Sequence, residues 1–191
     1  VREKTGQKII KNLTGRDAEV LLDPTMVIPV EKWNKLCKKP EKKLPGKYVV
    51  CYFLGRIDKD YRKRIQNFAK KTKLSVVMLF DITIPEYYTF DPGEVLYTIK
   101  NADYILTDSF HGSVFSILFH KDFYVFERNE GGMSMNSRVE TLLDTFHLQD
   151  RLYPCKHQEV SEDKWHFVEE VLEKERSHAM YYLEKSFQNS I

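Results

Sequence analysis

Two rhythms of apolar residues alternate along this chain. Short unbroken apolar runs read as strands buried on both faces, and apolar residues at three- and four-residue spacing read as helices with one inward face. Val20–Leu22, Tyr48–Leu54, Leu74–Phe80, Tyr104–Leu106 and Phe123–Phe126 belong to the first class. Asp58 caps a helical segment with apolar positions Tyr61, Ile65, Phe68 and Ala69. Asp91-Pro92-Gly93-Glu94 combines an N-cap carboxylate, a proline at the first helical position and an acidic first turn, ahead of Val95, Leu96 and Ile99. Val114–Phe119 predicts another helix. Ser137 with Glu140 has the spacing of a capping box before Val139, Leu142, Leu143 and Phe146. Ile9, Ile10 and Leu13 form one face of an early helix that Gly15 ends, and a long amphipathic helix is expected from near Ser161 past Leu183.

Strand and helix in alternation predict an α/β fold, a Rossmann-like three-layer domain with a mainly parallel sheet. Ligands in such sheets bind beyond the carboxyl ends of the strands, so functional residues are sought there. Lys38–Gly46 reads as a solvated loop, and no second domain is marked by composition.

Composition narrows the function classes. The 191 residues are 42% hydrophobic and 30% charged, enough apolar surface for a core, and a net charge of +2 gives no bulk attraction to nucleic acid or membrane. Three cysteines without a CxxC pair argue against a disulfide framework or zinc site and for a reducing, cytoplasmic compartment. The six histidines do not cluster at metal-ligand spacing, so no cofactor is implied. No apolar stretch is long enough to span a bilayer. The sequence opens on Val1 rather than Met, which leads to the expectation of a longer protein.

The chemistry-bearing stretch is Leu106-Thr107-Asp108-Ser109-Phe110-His111-Gly112-Ser113. A strand ends at Leu106 and a helix is expected to begin near Gly112. Free amide N–H groups and the helix dipole favour an anion at such a turn, Gly112 would let a ligand approach the backbone, and His111 could donate a proton. The plainer reading is that Asp108 or Ser109 caps the helix and His111 is a satisfied core histidine. Arg138, placed just after the expected N-cap Ser137, would oppose the helix dipole unless an anion bound there. Arg2 stands at the start of the first helix. Glu127–Asn136, with paired glycines, reads as a long turn or a lid. The GxGxxG, Walker, HExxH and GxSxG patterns are absent from the sequence.

The stretch Leu106–Ser113 with Val114-Phe115-Ser116-Ile117 resembles the signature of the polysaccharide pyruvyl transferase family. Asp91–Glu94, Ile99–Asp103, Ser137-Arg138, Leu142-Leu143, Leu148 and Arg151-Leu152 resemble the flanking segments, and Arg2-Glu3-Lys4-Thr5 resembles an R-E-x-[ST] element of that family. The resemblance implies the C-terminal half of a fold like type B glycosyltransferases. Residues 1–160 would be the donor-binding domain. Residues 161–191 would form a C-terminal amphipathic helix on that domain or on a preceding N-terminal half. It implies transfer of a pyruvyl group from phosphoenolpyruvate to two hydroxyls of a polysaccharide or lipid-linked sugar, forming a ketal in exopolysaccharide or cell-surface polysaccharide synthesis. His111 would be the catalytic acid or a phosphate ligand; Arg2, Ser109, Gly112, Ser113 and Arg138 would bind substrate. These three side chains, Arg2, His111 and Arg138, are expected on one ligand. By itself the chain is expected to fold and to lack transfer activity.

Two other readings stand beside this one. A glycosyltransferase with a nucleotide-sugar donor would need a carboxylate for the ribose, for which Asp81 and Glu94 are the candidates. A non-catalytic anion-binding domain would keep the helix-start site without an acid.

Overall fold

Four short strands set the frame of the computed structural model, which describes residues 1–128, 133–154 and 158–188, with the backbone alone at 133–135. In chain order the elements are α1 (Lys4–Thr14), α2 (Pro24–Val27), α3 (Val30–Leu36), β1 (Tyr48–Tyr52), α4 (Lys59–Thr72), β2 (Ser75–Leu79), α5 (Pro92–Lys100), β3 (Tyr104–Thr107), α6 (Phe110–Leu118), β4 (Asp122–Val125), α7 (Met133–Thr145) and α8 (Glu162–Gln188). They divide into two compact units. One is drawn from Val1–Pro29, Gly132–Gln149 and Gln158–Ile191, the other from Val30–Gly131 and Asp150–His157. Each unit is assembled from discontinuous stretches, so no linker composition announces the division.

The sheet lies in the second unit. All its neighbouring strands pair in parallel, in the order β2-β1-β3-β4. Val50 stands opposite Val77 on one side and Ile105 on the other, and Ile105 opposite Phe123. Alternation of side chains along each strand sends Val49, Cys51, Met78, Leu106 and Tyr124 to the α4 face, where they meet Ile65, Phe68 and Ala69. The other set, Val50, Val77, Leu79, Ile105, Phe123 and Val125, is equally buried, and α6 packs against β3 and β4 with α5 beside it. Both faces are covered, which is why the strands read as unbroken apolar runs. The result is a Rossmann-like three-layer α/β arrangement.

Local chemistry sets the helix starts. The Asp58 carboxylate accepts the Tyr61 N–H at 2.7 Å. At α5 the capping box is complete: Asp91 Oδ1 accepts the Glu94 N–H and Glu94 Oε2 accepts the Asp91 N–H, both at 2.9 Å.

Three expectations are corrected. Val20–Leu22 is not a strand; the Leu21 N–H donates to the Val1 carbonyl and the Val1 amino group to the Glu19 carbonyl, with no sheet attached. Ser137 is not an N-cap, because α7 already begins at Met133. Its hydroxyl donates to Glu3 Oε2 at 3.1 Å, so the residue type that suggested a cap serves a tertiary contact instead. The third helix expectation shifts: α6 begins at Phe110, placing His111 and Gly112 inside its first turn.

In the first unit α1 packs on α7 and α2 on α8. Gly15 ends α1 in the left-handed conformation at φ 71°, its N–H returning to the Lys11 carbonyl. Of the apolar stripe on α8, Val168, Leu172 and Ala179 are buried, whereas Tyr182 and Phe187 are exposed.

Candidate functional site at the carboxyl edge of the sheet

From β1 the chain crosses to β2 on one side, then returns past β1 to β3 and β4 on the other. The carboxyl ends of β1 and β3 therefore flank the point where winding reverses, the position at which open α/β sheets hold ligands. Asp108 follows β3 directly. Its carboxylate accepts the N–H of Leu54 at 2.7 Å and of Gly55 at 2.8 Å, tying the two strand ends together. Arg128, after β4, closes on it: Nε lies 3.3 Å from Oδ2, Nη2 lies 3.3 Å from Oδ1, and Nη2 also donates to the Asp108 carbonyl. Both side chains are largely buried, at 4% and 14% exposure. Gly55 leaves room for this pair, since a Cβ there would stand 2.7 Å from Asp108 Oδ2. Sequence reasoning considered Asp108 only as a helix cap and did not single out Arg128. An acid at the end of a buried strand, one residue ahead of a better cap, was the available signal.

Ser109 is the N-cap of α6. Its Oγ accepts the Gly112 N–H at 3.3 Å, and its carbonyl accepts the Ser113 N–H at 3.0 Å and the Ser113 hydroxyl at 3.2 Å. The amides of Gly112 and Ser113 are thus committed inside the turn, and Ser109, Gly112 and Ser113 are buried. The expectation that these amides face an anion gives way to a structural role. A Cβ on Gly112 would stand 2.3 Å from Thr107 Oγ1 and 3.0 Å from Thr107 Cβ, so glycine serves the approach of α6 to β3 rather than of a ligand to the backbone. Thr107 is itself held, donating to the Tyr52 carbonyl at 2.6 Å and accepting the Ser109 N–H at 2.9 Å.

His111 differs from its neighbours. It projects from the first turn of α6 as an exposed residue, its ring edge-on to Phe110 with centroids 5.4 Å apart. It is not a core histidine. It stands on the rim of a cavity of about 330 Å³ lined by Trp33, Tyr52, Phe80, Phe90, Phe115 and the start of α5. Burial raises the pKa of the Tyr52 phenol, against a hydrogen bond shared with Ser109. A second, larger cleft of about 770 Å³ lies past β1 and β2, between Leu54–Lys59, Arg62 and Phe80–Thr83.

Arg2 and Arg138 belong to the first unit. Arg2 Nη1 meets Asp23 Oδ2 at 2.5 Å, and Arg138 Nε meets Glu3 Oε2 at 3.4 Å, so Arg138 reaches the residue next to Arg2. With α7 starting at Met133, Arg138 is not in a first turn, and the dipole conflict expected of it does not arise. Of the expected lid, residues 129–132 lie outside the described residues, and Met133–Asn136 are the opening turn of α7.

A family model described as polysaccharide pyruvyl transferase matches residues 1–130. The chain belongs to that family. The match takes in Arg2, the Asp108 bridge, His111 and Arg128, and stops short of Arg138. No curated protein and no solved structure matches the chain. Family membership makes this chain part of a transferase, with a polysaccharide as the acceptor class. Among the described residues no helix is long and apolar enough to cross a membrane.

Proposed function

We propose that this pyruvyl transferase takes its pyruvyl group from phosphoenolpyruvate and places it on two hydroxyls of a polysaccharide or lipid-linked sugar as a cyclic ketal, in exopolysaccharide or cell-surface polysaccharide synthesis. The observation that supports the reading most is His111: an exposed imidazole in the first turn of a helix, at the carboxyl edge of a parallel sheet, within the family match.

The chemistry runs in three steps. A proton passes from His111 to the methylene carbon of the enol, leaving a cation at the carbon that bears the phosphate. One sugar hydroxyl adds to that carbon and loses its proton. Phosphate then leaves with its bonding pair as the second hydroxyl adds and gives up its proton, which closes the ketal and releases inorganic phosphate. An imidazole suits the first step because it is the side chain that most often serves as a general acid or base. Arg2 and Arg138 have the planar forks that match carboxylate and phosphate, and serve as the anion-binding arginines in this proposal. Ser109, Gly112 and Ser113 contribute by fixing the first turn of α6 that carries His111. A second half of the fold would supply the opposite wall and the base for the sugar hydroxyl. Transfer is therefore assayed on the full-length protein, and donor binding on this chain.

The test is His111→Ala in the full-length protein, given phosphoenolpyruvate and acceptor, with phosphate release and the mass of the ketal followed together. A general acid contributes roughly 10²–10⁴ in rate. A loss of that order with an unchanged melting temperature is expected, because the side chain is exposed. Unchanged turnover would refute the assignment.

A further inference from the structure

The aromatic cavity beside His111 has no assigned occupant. Its walls are Trp33 from α3, Tyr52 from the end of β1, Phe80 after β2, Phe90 before α5 and Phe115 from α6, with Pro92, Val95 and Leu96 below. Five half-buried aromatic rings from five parts of one unit face a single space. Trp33 and Phe115 meet edge to face at 5.2 Å, and Tyr52 and Phe80 lie 4.8 Å apart, so the rings brace one another. Phe80 holds its place at φ 63°, in the left-handed region that a bulky residue seldom occupies. Phe80 lines both the aromatic cavity and the larger cleft beyond β2.

The lining excludes the donor. Phosphoenolpyruvate carries a carboxylate and a phosphate, and among the described residues no arginine or lysine lines the cavity. Moving such charges against aromatic walls without partners is unfavourable. Its size, about 330 Å³, sits at the small end of the range for ligand pockets, roughly 300–1,000 Å³. A neutral ring with apolar C–H faces and hydroxyls at its edge matches this lining: the faces lie on aromatic rings, and the hydroxyls meet the polar groups that His111 and Tyr52 bring to it. We infer that this cavity is the acceptor subsite, holding one neutral pyranose ring of the saccharide with its reacting hydroxyls toward His111. The inference rests on the pyruvyl-transfer reading for its choice of ligand, and on the cavity alone for its location.

The experiment separates the two. The sequence holds two tryptophans, Trp33 and Trp165, so Trp165→Phe leaves Trp33 as the reporter in the cavity wall. Its emission is titrated with the methyl glycosides of glucose, galactose and mannose, without phosphoenolpyruvate. At least one should shift the emission saturably. Phe90→Ala should weaken that binding roughly 3- to 10-fold, the loss expected of one aromatic contact. Phosphoenolpyruvate at the same concentration should not displace the glycoside. Trp33→Phe, a milder change at the other wall, should weaken acceptor binding measured by calorimetry and leave the melting temperature near that of the parent. No response to any glycoside, or displacement by phosphoenolpyruvate, overturns the subsite. Glycoside binding at Trp33 without phosphate release from phosphoenolpyruvate in the full-length protein would keep the subsite and remove the donor reading.

Discussion

Gly112→Ala is the sharpest test of how the His111 turn is built. Helix propensity alone favours the change: alanine in a helix is about 1 kcal/mol better than glycine. The structure opposes it, because the new methyl would stand 2.3 Å from Thr107 Oγ1 and 3.0 Å from Thr107 Cβ. The hydroxyl cannot swing away freely. It donates to the Tyr52 carbonyl and accepts the Ser109 N–H, and Thr107 is fully buried. Overpacking a core costs about 1–3 kcal/mol, and each hydrogen bond lost by rotation about 0.5–1.5 kcal/mol. After the propensity gain, a net loss of roughly 1–5 kcal/mol is expected, a fall in melting temperature of about 2–20 °C for a chain of this size. Thermal and urea unfolding of the variant measure it. Gly112→Ala combined with Thr107→Ala should recover part of the loss, since the shortest clash is with the hydroxyl. If Gly112→Ala is as stable as the parent or better, while donor binding falls, glycine serves a ligand and the packing argument is wrong.

Other outcomes follow from the same geometry. Asp108→Ala would remove the buried carboxylate that the Leu54 and Gly55 amides and the Arg128 guanidinium share, and should cost about 3–5 kcal/mol. Asp108→Asn keeps an acceptor oxygen and should cost clearly less; equal urea midpoints for the two variants would refute the bridge. Asp23 should make the first unit acid-sensitive. Burial raises its pKa, but hydrogen bonds from Arg2 and Thr25 outweigh that and hold it below the usual carboxylate range. A depressed carboxylate contributes stability in full above its unfolded value, about 4, and loses it as pH falls through the lower folded value. The parent should therefore weaken below about pH 4, and Asp23→Asn should flatten that slope in pH-dependent unfolding. An unchanged slope would show that the Arg2 pair does not couple to folding.

Much of the fold was legible because its signals are local. Unbroken apolar runs bounded by turn residues marked all the strands of the sheet, and Asp58 and Asp91 marked helix starts through hydrogen bonds to their own neighbours. His111 was legible for the same reason: a histidine beside a cap, just past a buried strand. Val20–Leu22 carries the same apolar signal without a sheet partner, and the other failures were long-range. Ser137 has the spacing of a cap, yet its hydroxyl goes to Glu3, a partner 134 residues away that no local pattern reveals. The four-residue α2 and seven-residue α3 are too short to show a period. The sequence alone determined the alternation of strands and helices, hence a parallel sheet with a ligand edge, and the turn after β3 that carries Asp108, Ser109 and His111. Only the tertiary structure decided their roles. Whether Gly112 meets a ligand or Thr107, whether Asp108 caps a helix or ties two strand ends, and whether His111 is buried or faces an aromatic cavity depend on what other segments bring to the same place, and those contacts span dozens of residues along the chain.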